Sequence, residues 1–238
     1  MIKFALIHSP LAGPLTWKLV AAQLRQRGYP VVAPALVDSG TDSRAYWEQH
    51  AESAAQAINA TTHDDACLLV GHSGAGSILP AIGERLKQPP SGYIFVDAGL
   101  PADQASRLDM MKTESAQWAD QFEKFLIAGG RYPDWSDTNL QSLLPDDHLR
   151  RQMLKEIHAR GLSFFTERIS APEDWSLTPC GYIQFTEAYA VHTSLARQSG
   201  WPFIKFHAGH FHMLVEPIQV ADALVHIEKQ LLGSSEQS

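Results

Sequence analysis

Cysteine is scarce in this chain, with only Cys67 and Cys180 among 238 residues. Each heads an apolar run that reads as a strand. The order of the runs places the two strands two positions apart in one sheet, roughly 10 Å, beyond disulfide reach. The expectation is two free buried thiols, which suits a reducing cytoplasm. Long apolar runs are also missing: nothing approaches the roughly 20 residues of a membrane span. The amino-terminal MIKFALIHSP has one lysine and an apolar run too short for a secretion signal before Pro10 interrupts it. Basic clusters are absent too. Nineteen Lys and Arg against 26 Asp and Glu, a net charge of -7, speak against nucleic acid, whose affinity for proteins rests on a basic face. No internal repeat or low-complexity tract interrupts the chain, and Gly/Ser enrichment is confined to Gly233–Ser238, an end expected to fray. What remains is a cytoplasmic, small-molecule protein, monomer or homodimer, with no membrane partner.

At 45% hydrophobic and 19% charged residues the chain has ample material for a core without metal or disulfide staples. Short unalternating runs recur at Phe4 to Ile7, Tyr29 to Ala33, Cys67 to Gly71, Tyr93 to Val96, Tyr182 to Phe185 and Phe203 to Phe206. Such runs mark strands buried on both faces. Helical patterns lie between or after them, at Thr16 to Gln26, Ser43 to Asn59, Gly76 to Leu86, Val191 to Ser199 and Pro217 to Leu232. Repeating strand–helix units predict an α/β fold, a mainly parallel, doubly wound sheet. One interval breaks the rhythm. From about Pro101 to Thr178 no strand is evident, but amphipathic stretches run over Glu114 to Ile127 and Asp146 to Arg160, with Gly129-Gly130 and prolines between them. The division expected is a core of 1–100 and 179–238 with a helical cap inserted over 101–178.

The stretch LLVGHSGAG, Leu68 to Gly76, places Ser73 after a buried strand and before a helix, with Gly71 and Ala75 two residues to either side. A nucleophile at the tip of a strained strand-to-helix turn needs such small neighbours, because larger side chains collide across the bend. The Gly74 amide, at the start of the following helix, is suited to a developing negative charge. The bland alternative is an ordinary turn with a capping serine.

With these residues in view the chain resembles the α/β-hydrolase superfamily along essentially its whole length. The likeness is carried by HSPLAGPLTW after the first strand, GHSGA at the elbow, VDAGLP after the next strand, the cap insertion, and GHFHMLVEP near the end. HSPLAGPLTW is similar in spacing to the His-Gly segment of small plant-type esterases and hydroxynitrile lyases. The resemblance implies a Ser-His-acid triad in that chain order and no cofactor.

A serine hydroxyl needs an imidazole in reach to take and return its proton. Of eleven histidines, His210 matches the family's Gly-His loop after the last strand. His207 and His212 nearby raise the alternatives of a metal site or a decorated turn, yet no H-E-x-x-H spacing is present, so no metal is expected. His72 reads as structural. For the acid, many relatives carry Asp four residues after the strand that follows the cap; here that position is Tyr189. Asp97, in VDAGLP, and Glu187, two residues before Tyr189, are the replacements, with Asp97 favoured. The second oxyanion donor of the family departs as well, because Pro10 has no N–H where relatives have one. The Leu11 amide, shifted by one residue, or the Ser9 hydroxyl would substitute beside Gly74.

The expected activity is hydrolysis of an ester or related acyl compound of a small, largely apolar substrate, through an acyl-enzyme at Ser73. The weakened oxyanion loop keeps open a lyase or cofactor-free proton transfer on the same scaffold, and a small-molecule receptor is the non-enzymatic alternative. Trp17, Trp118, Phe122 and Trp135 are the expected pocket residues, drawn from a wider apolar set of Met110, Phe125, Tyr132, Phe164 and Phe165.

Overall fold

The computed structural model describes residues 2–61 and 66–233; residues 234–238, expected to fray, lie outside them. Six strands form one parallel sheet: β1 (Ile2–Ile7), β2 (Val31–Val32), β3 (Ala66–His72), β4 (Gly92–Val96), β7 (Cys180–Gln184) and β8 (Phe203–Lys205). Their order is β2-β1-β3-β4-β7-β8, so the chain steps outward from β1 in both directions. The interior strands are buried apart from the first residues of β1 and β3, Ile2 and Ala66, whereas the edge strands β2 and β8 are short and half-buried or exposed, as edges that avoid pairing with other chains tend to be.

Alternation along the strands divides the core into two layers. Phe4 and Leu6 of β1, Leu68 and Val70 of β3, and Ile94 and Val96 of β4 face helices α1 (Leu15–Gln26), α10 (His212–Val215) and α11 (Pro217–Gly233). Their neighbours Ala5 and Ile7, Cys67 and Leu69, and Tyr93 and Phe95 face α2 (Tyr46–Asn59), α3 (Leu79–Gly83) and α9 (Ala190–Gln198). Because both faces are covered, each strand reads as a continuous apolar run. The helices present matching stripes: Trp17, Val20, Ala21 and Leu24 on α1, and Trp47, Ala51, Ala54, Ala55 and Ile58 on α2, at the spacing of one helical face.

Between β4 and β7 the chain forms α4 (Arg107–Glu114), α5 (Ala116–Ile127), α6 (Asp137–Leu140), α7 (Asp147–Lys155) and α8 (Leu162–Thr166). Leu108, Phe122, Leu126, Phe164 and Phe165 make a small core of their own here. Three details differ from the sequence expectation. A two-stranded antiparallel ribbon, β5 (Ala105–Ser106) with β6 (Arg168–Ile169), pins the start of this insertion to its end. Helix α7 stops at Lys155 rather than Arg160, because the Arg160 backbone pairs with that of Tyr132 in both directions. The helix expected over Gly76 to Leu86 is a 3-10 turn, Ser73–Ile78, followed by the short α3. Glycines 74 and 76 favour the tighter turn over a regular helix.

Candidate active site

The carboxyl ends of β1, β3, β4, β7 and β8 open at one edge of the sheet, where ligands of open α/β sheets bind. Ser73 follows β3 with φ of 57° and Asp97 follows β4 with φ of 44°, both in the left-handed region. Holding a non-glycine residue there costs of order 1–3 kcal/mol, and such residues cluster at functional sites. Tight packing sets the bend at Ser73. A Cβ on Gly71 would lie 2.9 Å from the Leu79 side chain, and one on Gly76 would lie 2.2 Å from the Gly99 carbonyl. Only glycine at position 76 lets the turn come so close to the backbone that follows β4.

His210, on the loop after β8, meets Asp97 directly: its Nδ1 is 2.6 Å from Asp97 Oδ2. Asp97 is fully buried. Its Oδ1 accepts from the amides of Phe185 (3.0 Å) and Thr186 (2.8 Å), and Oδ2 accepts also from the Thr186 hydroxyl (2.9 Å). Burial by itself would raise this carboxyl, but the hydrogen bond and charge of His210 and the two amides outweigh it, and its pKa lies below the usual value. An ionised Asp97 can only accept, so Nδ1 of His210 carries the proton and Nε2 is left as a base. Glu187 is elsewhere. Its side chain is 69% exposed and bound to Lys205 Nζ at 2.6 Å.

His72 lies under this pair. Its ring is 4.4 Å from that of His210, and its Nε2 donates to the His210 carbonyl at 3.0 Å. Burial first, and then the neighbouring His210, hold His72 far below the ordinary histidine pKa. It is neutral, and it fixes the His210 loop through the backbone. His212 packs instead edge-on to Phe185 and tilted against Phe206. Among the described residues no three His, Cys, Asp or Glu side chains form a group suited to a metal.

On the other side of Ser73 is the turn after β1. The Leu11 amide, one of the two expected donors, is spent on Ser9 Oγ at 3.3 Å. Ser9 Oγ itself lies 3.6 Å from where a Cβ on Gly74 would stand, and having accepted from Leu11 it retains its own proton to donate. His8 anchors this turn. Its Nδ1 donates to the Ser9 carbonyl at 2.8 Å, and its Nε2 accepts from the Leu36 amide at 3.1 Å. That is a neutral imidazole's pattern, and burial lowers its pKa to about 4.

A cavity of about 660 Å³ opens over Ser73. Trp118, Tyr132, Trp135, Phe164, Phe165 and Met110 supply apolar walls, and Ser9, Gly74, Tyr189, His192 and His210 line it nearer the serine. Of the four expected pocket residues, Trp118 and Trp135 line this cavity. Trp17 does not: it is fully buried under the site, its Nε1 donating to the Ile7 carbonyl at 3.0 Å, on the inward stripe of α1. Phe122 is one layer back, stacked on Trp118 (5.1 Å) and edge-on to Phe165 (4.9 Å).

The lining residues His192 and Tyr189 are not among the expected site residues. His192 accepts the Leu100 amide on Nδ1 at 3.2 Å, which leaves an N–H on Nε2. Tyr189 places its hydroxyl 3.2 Å from Ser73 Oγ. The signal available for Tyr189 is its position, where relatives carry an acid, but no residue pattern indicates the direction of its phenol.

The alpha/beta hydrolase family model matches residues 4–223. The chain belongs to the alpha/beta hydrolase family. Across 94% of this hydrolase and 98% of the relative, it is 25% identical to the carbendazim hydrolyzing esterase of Nocardioides sp. (strain SG-4G). A shorter match, 41% of this chain and 40% of the relative, is 30% identical to methylesterase 2 of Arabidopsis thaliana. Among solved structures, an extracellular alpha/beta-hydrolase from a Paenibacillus species superposes with a TM-score of 0.75 at 21% identity, covering 95% of this chain and 99% of that one. Polyneuridine aldehyde esterase gives 0.71 at 17% identity, with 96% and 99% covered. These superpositions show that the hydrolase fold extends over nearly the whole chain. No described helix is long and apolar enough to cross a membrane.

Proposed function

We propose that this alpha/beta hydrolase is a serine esterase, cleaving the ester or related acyl bond of a small, largely apolar substrate through an acyl-enzyme on Ser73. The observation that carries the reading is the buried 2.6 Å contact between Asp97 and His210 Nδ1, facing the same cavity as the strained Ser73. The names of the sequence relatives, an esterase and methylesterases, support the same reaction class.

In this reading Ser73 Oγ turns about χ1 from Tyr189 toward His210, since hydrogen bonds in an unliganded site commonly tighten only with substrate bound. His210 Nε2 takes the hydroxyl proton as Oγ bonds to the acyl carbon, and Asp97 stabilises the imidazolium without itself accepting the proton. The proton then passes to the leaving alcohol oxygen as its bond to carbon breaks. Water repeats the sequence to free the acid. The oxyanion is held by the Gly74 amide and the Ser9 hydroxyl, which replaces the N–H that Pro10 lacks. One such donor contributes about 2.7–4 kcal/mol to the transition state.

The segment over 101–178 acts as the cap that shapes the acyl site, with Trp118 and Trp135 as pocket walls and Phe122 bracing them. The two thiols are free and buried, which fits a reducing cytoplasm, and nothing in the proposed chemistry needs more than one copy of the chain. The absent Pro10 N–H favours, as a second reading, a lyase-type proton transfer by His210. The two separate in one experiment: hydrolysis of short p-nitrophenyl esters with a pre-steady-state burst that Ser73→Ala abolishes supports the esterase. Turnover that survives Ser73→Ala removes it.

A further inference from the structure

Tyr189 occupies the position where the sequence expectation looked for an acid, and the structure turns it to a different use. Its hydroxyl lies 3.2 Å from Ser73 Oγ, and this is the only hydrogen bond of the phenol among the described residues. Its ring stacks on the His210 imidazole at 6.1 Å with 26° between planes, and packs beside His192 at 6.3 Å. The placement is built into the same clamp that holds Asp97. Thr186 donates its hydroxyl to Asp97 Oδ2 at 2.9 Å, and as the N-cap of the 3-10 turn Glu187–Tyr189 it accepts from the Ala188 amide at 3.3 Å. The turn that presents the phenol is therefore in register with the carboxylate that orients the imidazole.

The phenol and the oxyanion donors approach Ser73 from different strands. Ser9 and Gly74 belong to the ends of β1 and β3; Tyr189 belongs to the end of β7, beyond β4, on the side from which His210 also approaches. A leaving oxygen must sit on the imidazole side to collect its proton from Nε2. That is the side the phenol faces.

We propose that Tyr189 is a catalytic residue of this esterase, its hydroxyl donating a hydrogen bond to the leaving-group oxygen as the tetrahedral intermediate collapses. The proposal rests on the esterase reading above. In the resting site the phenol and Ser73 Oγ share a hydrogen bond. When Oγ turns to His210 with substrate bound, the phenol is released and passes to the neighbouring leaving oxygen, on which negative charge grows as the carbon–oxygen bond breaks. The proton that completes the alcohol comes from His210 Nε2, and Tyr189 keeps its own. Burial raises the phenol's pKa above its ordinary value, so it remains a donor across the working range.

A donor to the leaving oxygen matters most when the alcohol is a poor leaving group. The test is kcat/KM of the intact protein and of Tyr189→Phe on acetate esters with a constant acyl group and leaving alcohols running from p-nitrophenol through phenol to ethanol. The expected result is the smallest loss with the p-nitrophenyl ester and a loss about ten- to a hundredfold greater with the ethyl ester, the value of one hydrogen bond to a charged group. The rate of the variant should then depend more steeply on leaving-group pKa. An equal fall across the series would make Tyr189 a positioning group for Ser73 only, and no fall, or a rise, would leave it as wall or latch. Either outcome overturns the proposal. A wild-type protein that hydrolyses none of these esters overturns the esterase reading first. Normal Ser73-dependent turnover with a flat Tyr189→Phe profile sinks this inference alone.

Discussion

Asp97→Asn is the substitution whose consequence follows most closely from the geometry. The carboxylate accepts four hydrogen bonds, from the Phe185 and Thr186 amides on Oδ1 and from the Thr186 hydroxyl and His210 Nδ1 on Oδ2. An asparagine has one accepting oxygen and one donating nitrogen. If the nitrogen took the Oδ1 place it would face two backbone N–H groups that cannot move. The oxygen therefore stays there, and the amide nitrogen points at His210 Nδ1. That donor is satisfied only if Nδ1 gives up its proton, which puts the proton on Nε2 and removes the base that Ser73 needs. The expected loss in kcat is up to about four orders of magnitude, about 5 kcal/mol of transition-state stabilisation. Glu187→Gln, at an exposed carboxylate held by Lys205, is expected to cost little. The assay is steady-state hydrolysis of a p-nitrophenyl ester by both variants, with circular dichroism to establish that each is folded. An Asp97→Asn variant within tenfold of wild type, or a Glu187→Gln variant as damaged as it, refutes the tautomer reasoning.

Ser9→Ala should lower kcat by about a hundred- to a thousandfold with little change in KM; an unchanged kcat would mean that the second oxyanion donor is some other group. Acid stability follows from the buried neutral histidines, His8, His72 and His50, the last on α2 with its Nε2 2.9 Å from Asp38 Oδ2. His8 and His50 are each lowered by burial from 6.5 to about 4, so the unfolded chain takes up their protons first. The stability they confer is complete above pH 6.5 and is lost as pH falls toward 4, by about 3 kcal/mol each at the bottom of that window. The melting temperature should therefore fall steadily from pH 7 to pH 4.5, and a flat profile there contradicts the neutral assignment. Trp17→Ala should cost about 3–5 kcal/mol of stability, because this residue is core and not pocket; a variant with wild-type melting temperature but altered substrate selectivity would return it to the pocket.

The sheet was legible because strands buried on both faces announce themselves as apolar runs, and β1, β3, β4 and β7 fall where those runs do. The elbow was legible because its steric demand is local: Gly71 and Ala75 flank Ser73 within five residues. The choice between Asp97 and Glu187 was not local. It depends on β4 lying between β3 and β7, which brings the Phe185 and Thr186 amides onto Asp97 and leaves Glu187 at the surface beside Lys205. Trp17 departs from the expectation for a related reason, since a tryptophan in a loop-to-helix segment has the composition of a pocket residue, and only the stripe it shares with Val20 and Leu24 turns it inward. The ribbon of β5 and β6, two residues on each side, is too short to leave a pattern. Tyr189 was visible as a missing acid, but the direction of its phenol is set by the Thr186-capped turn.

The central claim is that Ser73 forms a covalent intermediate. It is tested most directly by reacting the protein with a fluorophosphonate, digesting it, and locating the added mass by tandem mass spectrometry. The account predicts one modified serine, Ser73, with labelling abolished in Ser73→Ala and much slowed in His210→Ala. Modification at another residue, or an unlabelled protein that still hydrolyses esters, would contradict it.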